Sequence, residues 1–306
     1  MIRVPMKIFS IIAAIAALAA ALAAALALGA LWLGDSKLDR RVDVRVVPVA
    51  YQQPAPQVLK QGKYLFESRG CGECHGMDGA GRVVVDDPGG LFVRSPDITT
   101  ARVSMVAAYT EGDWVRAIRH GVDPGGRALL IMPSEDYNRM NDADFAALVA
   151  YVRTLPAGPG TLGEVRLPAM LRVLYGVGLF KDAAEKIDHR LPPATPVGVA
   201  ENAAYGGYVA NMCIGCHGAG FSGGKIPGTP PDWPPASNLT PGEGSVMPLY
   251  PTADAFAAMM RTGKRPDGSA VSKVMPFESL KNFNDTDLKA LFAYLDTLPP
   301  KKAGER

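Results

Sequence analysis

The sequence predicts an all-α protein in which one N-terminal transmembrane helix precedes two tandem copies of a small helical domain. Three observations predict this fold: a long apolar run at the N-terminus, an internal repeat with a spacing of 142 to 143 residues, and apolar residues at helical spacing near the end of each copy. The chain has 306 residues, including 33 glycines and 26 prolines, and this composition predicts many loops between the helices.

The N-terminal run at residues 8–33 contains 26 residues without a charge. A helix of that length can cross a hydrocarbon core about 30 Å thick, whereas a cleaved signal peptide has a shorter apolar stretch of about 7–15 residues. Residues 1–34 are therefore expected to form a retained membrane anchor, and cleavage near the pair Ala24-Ala25 is the alternative. Because Arg3 and Lys7 precede the run, the positive-inside rule predicts a cytoplasmic N-terminus and a periplasmic remainder at a bacterial cytoplasmic membrane.

The charge balance argues against nucleic acid as a partner. The first 33 residues hold two of the 32 basic residues and none of the 30 acidic ones, which leaves 30 of each sign in the rest of the chain. Nucleic-acid binding calls for a basic stripe, and a region that is neutral as a whole does not predict one.

The internal repeat aligns one part of the chain with another. Cys71 and Cys213 lie 142 residues apart, and Met132 and Met275 lie 143 residues apart. Each copy ends in a helix with one apolar face, an asparagine before it and a proline after it, so the expected domains are residues 55–156 and 201–300. The residues predicted on these faces are Phe145, Leu148, Val149, Val152 and Leu155 in the first copy, and Leu288, Leu291, Phe292, Leu295 and Leu298 in the second.

Residues 157–200 separate the two copies. Both ends of this segment are rich in proline and glycine, and its middle, at residues 171–180, is apolar. We expect a linker helix that packs on both domains. The alternative is an exposed apolar surface that docks on a partner or on the membrane.

Each copy contains one Cys-x-x-Cys-His motif, and the two motifs hold all four cysteines of the chain. Two thiols three residues apart on one helical turn can add to the two vinyl groups of a haem, while the histidine binds the iron from the same side. A zinc site usually has a second ligand pair nearby, and a redox dithiol needs a βαβ context. The sequence therefore predicts two covalently attached haem c groups, held by Cys71, Cys74 and His75 and by Cys213, Cys216 and His217.

Met132 and Met275 are the expected sixth ligands of the two irons. Both precede a proline and lie in a loop just before the last helix of their copy. Met105 and Met247 form a second matched pair, but only Met247 precedes a proline. His120 is an alternative ligand for the first iron, although the second copy has no histidine at the equivalent position.

Two further patterns recur in both copies. Arg119 and Arg261 are equivalent, and each is expected either to pair with a haem propionate or to lie at a solvated helix end, where the dipole favours a cation. Asn238 begins an Asn-x-Thr sequence that matches a glycosylation acceptor. Its counterpart in the first copy is Asp97, which cannot be an acceptor, so a structural loop is the expected role of both.

The tyrosine before each motif, the Asn/Asp-x-Thr and Arg-x-Gly patterns, the Met-Pro loop and the closing Leu-Pro together resemble class I cytochromes c. More closely, both copies resemble the haem domains of the cytochrome c subunits of membrane-bound alcohol and gluconate dehydrogenases, and residues 119–122 and 223–225 are part of that likeness. In that family the methionine of the Met-Pro loop is the sixth ligand, which the resemblance implies for Met132 and Met275. Those subunits usually carry three haem domains, whereas this chain has two.

The expected function is electron transfer in a respiratory chain, between a dehydrogenase or quinol-oxidising complex and a terminal acceptor such as an oxidase. Histidine and methionine ligands saturate the iron and leave no position for a substrate, so no catalytic residue is expected. The alternative is a dihaem oxidoreductase, such as a thiosulfate dehydrogenase or a peroxidase, in which one sixth ligand is absent or displaceable. A structural subunit of a respiratory complex is a third hypothesis.

Overall fold

The computed structural model describes residues 6–230 and 232–306, with side chains from residue 10 onward. Arg3 lies outside the described residues, and the side chain of Lys7 is not among those described. The helices are α1 (Met6–Leu38), α2 (Pro56–Ser68), α3 (Cys71–His75), α4 (Glu111–His120), α5 (Asp142–Val152), α6 (Ala169–Gly176), α7 (Ala183–Lys186), α8 (Ala203–Ala210), α9 (Ile214–His217), α10 (Ala253–Thr262), α11 (Phe277–Leu280) and α12 (Asp285–Asp296).

The apolar N-terminal run forms a single long helix, α1. The part from Ser10 to Leu38 has 29 residues, its most apolar 18-residue window has a mean hydropathy of 2.7, and none of that window is buried against the rest of the protein. By length and composition, α1 is therefore able to cross a membrane.

Each domain is built around a close crossing of its first and last long helices, α2 on α5 and α8 on α12. A Cβ on Gly62 would lie 2.0 Å from the carbonyl oxygen of Ala147, and a Cβ on Gly206 would lie 1.9 Å from the carbonyl oxygen of Ala290. Glycine at these two equivalent positions therefore lets the backbones of the two helices approach each other directly.

The predicted apolar faces of α5 and α12 are confirmed as core positions. All five predicted residues of the first copy are buried. In the second copy Leu288, Leu291 and Leu295 are buried, while Phe292 and Leu298 are partly buried against the same cluster. Full burial of one such side chain contributes about 1.5–3 kcal/mol, so these two helices supply much of the stability of each domain.

The expectation of an all-α fold is not fully met, because the described residues include three short strands. β1 (Val83–Asp86) and β2 (Phe92–Arg94) form an antiparallel hairpin, and β3 (Glu164–Arg166) pairs antiparallel with β2. The β-branched run at residues 83–85 favours a strand, and the Pro-Gly-Gly sequence at residues 88–90 favours the turn.

The segment between the two copies touches both of them, but its central helix packs on α1 instead. α6 lies against the end of α1, while α7 lies against the first copy, where Lys186 forms a salt bridge with Glu135 at 2.6 Å. The second copy is reached by Phe180, whose ring lies beside Gly228. The predicted helix is thus present, and its main partner is one that the sequence did not predict.

The two copies meet through reciprocal contacts between equivalent residues. Tyr64 of α2 donates a hydrogen bond to Asp287 of α12 at 2.7 Å. Tyr208 of α8, the counterpart of Tyr64, donates to Asp144 of α5 at 2.5 Å, and Asp144 is the counterpart of Asp287. Each copy therefore offers the other a tyrosine donor and an aspartate acceptor.

One half of this interface also contains a buried ion pair. Arg69 lies 2.7 Å from the fully buried carboxylate of Asp287, which also accepts a hydrogen bond from Tyr205 at 2.8 Å. Burial lowers the pKa of the Arg69 guanidinium, but the charge of Asp287 outweighs burial and raises it above its ordinary value. The counterpart of Arg69 in the second copy is Asn211, so the charge is present on one side only.

Candidate haem-binding sites

Both Cys-x-x-Cys-His motifs form short helical turns that end at the histidine. In the first copy, α3 carries both thiols on one turn, and the chain then leaves the helix through Gly76 at φ 79°. In the second copy, α9 ends in the same way at Gly218, with φ 78°. All four cysteines are free thiols, so they are available for bonds to a ligand.

The two motif histidines are oriented in the same way. The Nδ1 atom of His75 lies 3.0 Å from the carbonyl oxygen of Pro96, and the Nδ1 atom of His217 lies 2.9 Å from that of Ser237. Because a carbonyl can only accept, Nδ1 carries the proton and the lone pair of Nε2 is left for a metal. Burial lowers the pKa of both imidazoles and keeps them neutral, as an iron ligand must be.

The Asn/Asp-x-Thr motifs hold the carbonyl groups that orient these histidines. Asp97, directly after Pro96, accepts hydrogen bonds from the amides of Thr99 at 2.7 Å and Gly160 at 2.8 Å. Burial favours the neutral acid, but these hydrogen bonds outweigh burial and lower the pKa of Asp97. The motif therefore ties the loop beside His75 to the chain that follows α5.

At the equivalent position of the second copy, Asn238 donates hydrogen bonds in addition to accepting one. The Nδ2 atom of Asn238 donates to the carbonyl oxygens of Lys301 at 2.8 Å and Glu243 at 3.1 Å, while its Oδ1 atom accepts from the amide of Thr240 at 2.9 Å. Asn238 is 1% exposed, so its amide is closed to glycosylation and the structural reading is confirmed.

Replacement of Asp97 by asparagine should destabilise the first domain by about 1–3 kcal/mol, the cost of a buried polar group that loses its partner. Both partners of the carboxylate are donors, so an amide would turn its own N–H groups toward one of them. Asn238→Asp should cost a similar amount, because a carboxylate would then face two carbonyl oxygens. Guanidinium unfolding of the detergent-solubilised chain, followed at the haem absorption, measures both.

Asp87→Asn is the control, because the Asp87 carboxylate accepts a hydrogen bond from the amide of Gly89 in an exposed turn, and a change within about 0.5 kcal/mol is expected. The pH dependence has a defined sign. Since the pKa of Asp97 is lowered by folding, its contribution is present above the unfolded pKa of about 4 and is lost as pH falls below it. An equal acid dependence in Asp97→Asn and in the unchanged chain would contradict this role.

The predicted sixth ligands occupy equivalent places. Met132 is partly buried against the cluster that Cys71 contacts, and Met275 against the cluster that Cys213 contacts. Of the rival pair, Met105 is 47% exposed, and its sulfur accepts a hydrogen bond from the amide of Gly163 at 3.3 Å. These positions favour Met132 in the first copy, and both ligand assignments stay predictions.

His120 is engaged away from the motif. Its Nδ1 atom lies 3.0 Å from the Nδ1 atom of His189 in the linker, and the Nε2 atom of His189 lies 2.9 Å from the carbonyl oxygen of Ala184. Burial lowers the pKa of His120 to about 4, with the neighbouring His189 and Arg119 adding to the shift. This contact gives His120 a structural role between α4 and the linker.

Arg119 and Arg261 are both tied to the first residue of the last helix. Arg119 is buried and lies 2.8 Å from Asp142, and one of its Nη atoms donates to the carbonyl oxygen of Met140 at 2.6 Å. Arg261 is more exposed and bonds to Asp285, the counterpart of Asp142. An ion pair between α4 and α5 is thus repeated between α10 and α12.

Each motif also contacts the short helical segment that follows the Met-Pro sequence of the other copy. Oε1 of Glu73 accepts from the amide of Ser279 at 2.8 Å, and Oδ1 of Asp136 accepts from the amide of Gly215 at 2.7 Å. Burial raises the pKa of Asp136 well above its ordinary range. Glu73 and Gly215 occupy the same position in their motifs, so the same contact is made in both directions between the copies. Glu73 accepts a hydrogen bond in its contact, whereas Gly215 donates one. Sequence reasoning missed these residues, because the side chains at the paired positions differ.

The chemistry of the donor set fits haem c. Each copy presents two free thiols on one turn and an imidazole whose Nε2 is left for iron, and the oxygen-bonded Nδ1 atoms explain that orientation. Within residues 6–230 and 232–306, no three His, Cys, Asp or Glu side chains gather as they would around a zinc ion. Fold and site therefore define a protein with two covalent haem sites in tandem helical domains.

Comparison with known proteins supports the assignment of two haem-binding domains. Residues 59–156 match the model of the family described as "Cytochrome c", and residues 201–295 match that of "Cytochrome C oxidase, cbb3-type, subunit III". The chain is a class I c-type cytochrome, and it carries two haem c groups.

Three relatives illustrate the likeness. The fructose dehydrogenase cytochrome subunit of Gluconobacter japonicus is 26% identical over 83% of this chain and 54% of its own length. The cytochrome c subunit of the quinone alcohol dehydrogenase of Gluconacetobacter polyoxogenes is 26% identical over 79% of this chain and 56% of its own. The gluconate 2-dehydrogenase cytochrome c subunit of Pantoea cypripedii is 32% identical over 34% and 24%. The chain thus spans about half the length of the first two, and less of the third.

Proposed function

We propose that the chain is an electron-transfer protein of a respiratory chain, anchored in a bacterial cytoplasmic membrane with both haem domains in the periplasm. It accepts electrons from a dehydrogenase or a quinol-oxidising complex and passes them to a terminal acceptor. The observation that carries this proposal is the contact between the two sites, in which Glu73 bonds to Ser279 and Gly215 bonds to Asp136. Two redox sites held together in this way can exchange electrons within one chain.

The side chains of each site have separate roles. In the first copy, Cys71 and Cys74 would hold the haem through thioethers, and its iron would be bound by Nε2 of His75 and the sulfur of Met132. Haem, when bound, supplies one-electron chemistry at its iron. An iron bound by both histidine and methionine would leave no position for a substrate, which favours electron transfer over catalysis. The second copy repeats this arrangement, with Met275 in the place of Met132.

Two findings support the location and the partner. α1 is long and apolar enough to span a membrane. The relatives are named as cytochrome subunits of fructose, gluconate and quinone alcohol dehydrogenases. A membrane dehydrogenase is therefore the electron donor that we favour.

The sixth ligands provide the test. The purified, oxidised chain should show the far-red absorption band of methionine bound to ferric haem. Met132→Ala and Met275→Ala should each remove about half of that band, because each removes one of two iron–sulfur bonds. The double variant should lack the band.

Met105→Ala and Met247→Ala are the matched controls and should keep the full band. An unchanged band in Met132→Ala or Met275→Ala would exclude that methionine as a ligand. A high-spin signal in the unchanged chain would instead reveal an open iron and favour a dihaem oxidoreductase over a carrier.

A further inference from the structure

An exposed apolar surface lies on the segment from α6 to the turn after it, residues 169–180, called here the linker face. Met170 and Leu179 are each 68% exposed, and Val177 is 52% exposed. The one charged residue within the segment is Arg172, and it lies 3.2 Å from Asp35 at the end of α1. The linker face thus exposes large apolar side chains, and the charge of Arg172 is paired with Asp35. An exposed apolar surface of this kind marks an interaction site.

The linker face is fixed against α1 by direct backbone contact. A Cβ on Gly34 would lie 2.3 Å from the carbonyl oxygen of Arg172, and a Cβ on Gly176 would lie 2.5 Å from the backbone nitrogen of Gly34. Neither position has room for a side chain. α6 therefore crosses α1 at Gly34 at the closest approach that two helices can make.

Polar contacts lock this crossing in place. Lys37 of α1 donates to the carbonyl oxygen of Tyr175 at 2.8 Å, and Arg40 lies 2.7 Å from Asp182. Tyr175 and Asp182 are both fully buried, and the tyrosine hydroxyl donates to the carboxylate at 2.5 Å. An ion pair to a buried, hydrogen-bonded carboxylate holds the segments that it joins in one arrangement, so the linker face has a fixed position along α1.

The position at which the linker face meets α1 corresponds to the edge of the membrane. The uncharged run ends at Leu33, and Asp35 is the first charge after it. Trp32 is 67% exposed on α1, and tryptophan collects at the membrane–water interface. The part of α1 from Ser10 to Leu38 has 29 residues and is about 44 Å long, against a hydrocarbon core of about 30 Å, so its end lies among the headgroups. Gly34, where α6 crosses α1, therefore lies at the level of the lipid headgroups.

We propose that the linker face is a second membrane contact, with Met170, Val177 and Leu179 inserted into the interfacial layer of the leaflet from which α1 emerges. Lys181, directly after the segment, is exposed and can reach lipid headgroups, and Arg166, three residues before it, is 63% exposed although it pairs with Glu164 at 3.2 Å. The occupant is thus a lipid surface. This inference rests on the proposed membrane anchor.

Two contacts constrain the protein more than one helix can. A domain on a single transmembrane helix can rotate about its axis and tilt on its hinge. The linker face is rigidly joined to α1 and, through α7 and the Lys186–Glu135 salt bridge, to the first haem domain. The first domain therefore keeps one orientation toward the membrane.

The test uses the full chain in vesicles of phosphatidylethanolamine and phosphatidylglycerol. Haem attachment consumes all four native cysteines, so a single introduced cysteine carries one nitroxide label. Met170→Cys and Leu179→Cys report on the linker face, Leu28→Cys on α1 and Val103→Cys on a 66% exposed site of the first domain. Collision rates with oxygen, which concentrates in lipid, and with a water-soluble nickel chelate are compared, after the haem spectrum has confirmed folding.

The oxygen-to-nickel ratio at positions 170 and 179 should exceed that at position 103 several-fold and lie below that at position 28. If positions 170 and 179 instead match position 103 while position 28 reports lipid, the anchor stands and the linker face lies in water, free for a protein partner; the inference is then wrong. If position 28 also matches position 103, the anchor itself is wrong, and the inference falls with it.

Discussion

Replacement of Asp287 by asparagine is expected to destabilise the protein by about 3–5 kcal/mol, the cost of leaving a buried charge without its partner. The side chain of Asp287 is fully buried, and that of Arg69 is 7% exposed. An amide in place of the carboxylate keeps the size of the side chain but removes the counter-charge. In the unchanged protein, Tyr64 and Tyr205 also donate to this carboxylate, and both hydrogen bonds must rearrange in the variant. Guanidinium unfolding followed at the haem absorption measures the loss.

Asp144→Asn is the matched control, because Asp144 occupies the equivalent place in the other half. It is only partly buried and accepts from Tyr208, Gln61 and Asn141, and within residues 6–230 and 232–306 it forms no ion pair. A loss of about 1 kcal/mol is expected there. Equal losses of stability in the two variants would show that the pairing of Arg69 with Asp287 adds nothing to the stability of the protein.

A second large effect is expected from a single methyl group at a helix crossing. Gly206→Ala places a Cβ 1.9 Å from the carbonyl oxygen of Ala290 and 2.8 Å from the Cβ of Tyr294. Backbone cannot yield as a flexible side chain does, so α8 and α12 must separate. The loss should reach or exceed the usual cost of overpacking, about 1–3 kcal/mol, and the thermal midpoint of the second domain should fall.

Gly207→Ala provides the comparison one residue away. Its Cβ would lie 3.1 Å from the ring of Tyr294, which can turn aside, and alanine favours a helix by about 1 kcal/mol over glycine. We expect little or no loss of stability. A Gly206→Ala protein as stable as Gly207→Ala would show that the crossing is looser than described.

Local patterns in the sequence predicted much of the fold. The N-caps are examples: Asn141 and Asn284 accept from the third residue of their helices at 2.9 and 2.8 Å, as their positions before the apolar faces indicate. The strands were missed although Val83 begins a β-branched run, because two of them form a short hairpin that resembles a loop. β3 comes from the linker, and no local signal ties it to β2.

The haem motifs are visible in the sequence because attachment chemistry fixes the spacing of cysteine and histidine. The groups that orient them are less visible. Pro96 acts through its carbonyl oxygen, which any residue carries. The interface was hidden for another reason: Tyr64 and Asp287 are 223 residues apart, and nothing in either sequence neighbourhood indicates the partner.

The exchange of contacts between the two copies has a consequence for the symmetry of the interface. Tyr64 meets Asp287 as Tyr208 meets Asp144, so a half-turn that swaps the modules leaves the pattern unchanged. Identical subunits associate in this way, with one self-complementary patch on each. One chain therefore joins its two modules through the kind of contact that usually joins two like subunits. The two halves differ in charge, because Arg69 pairs with Asp287 in one half and Asn211 occupies the position equivalent to Arg69 in the other.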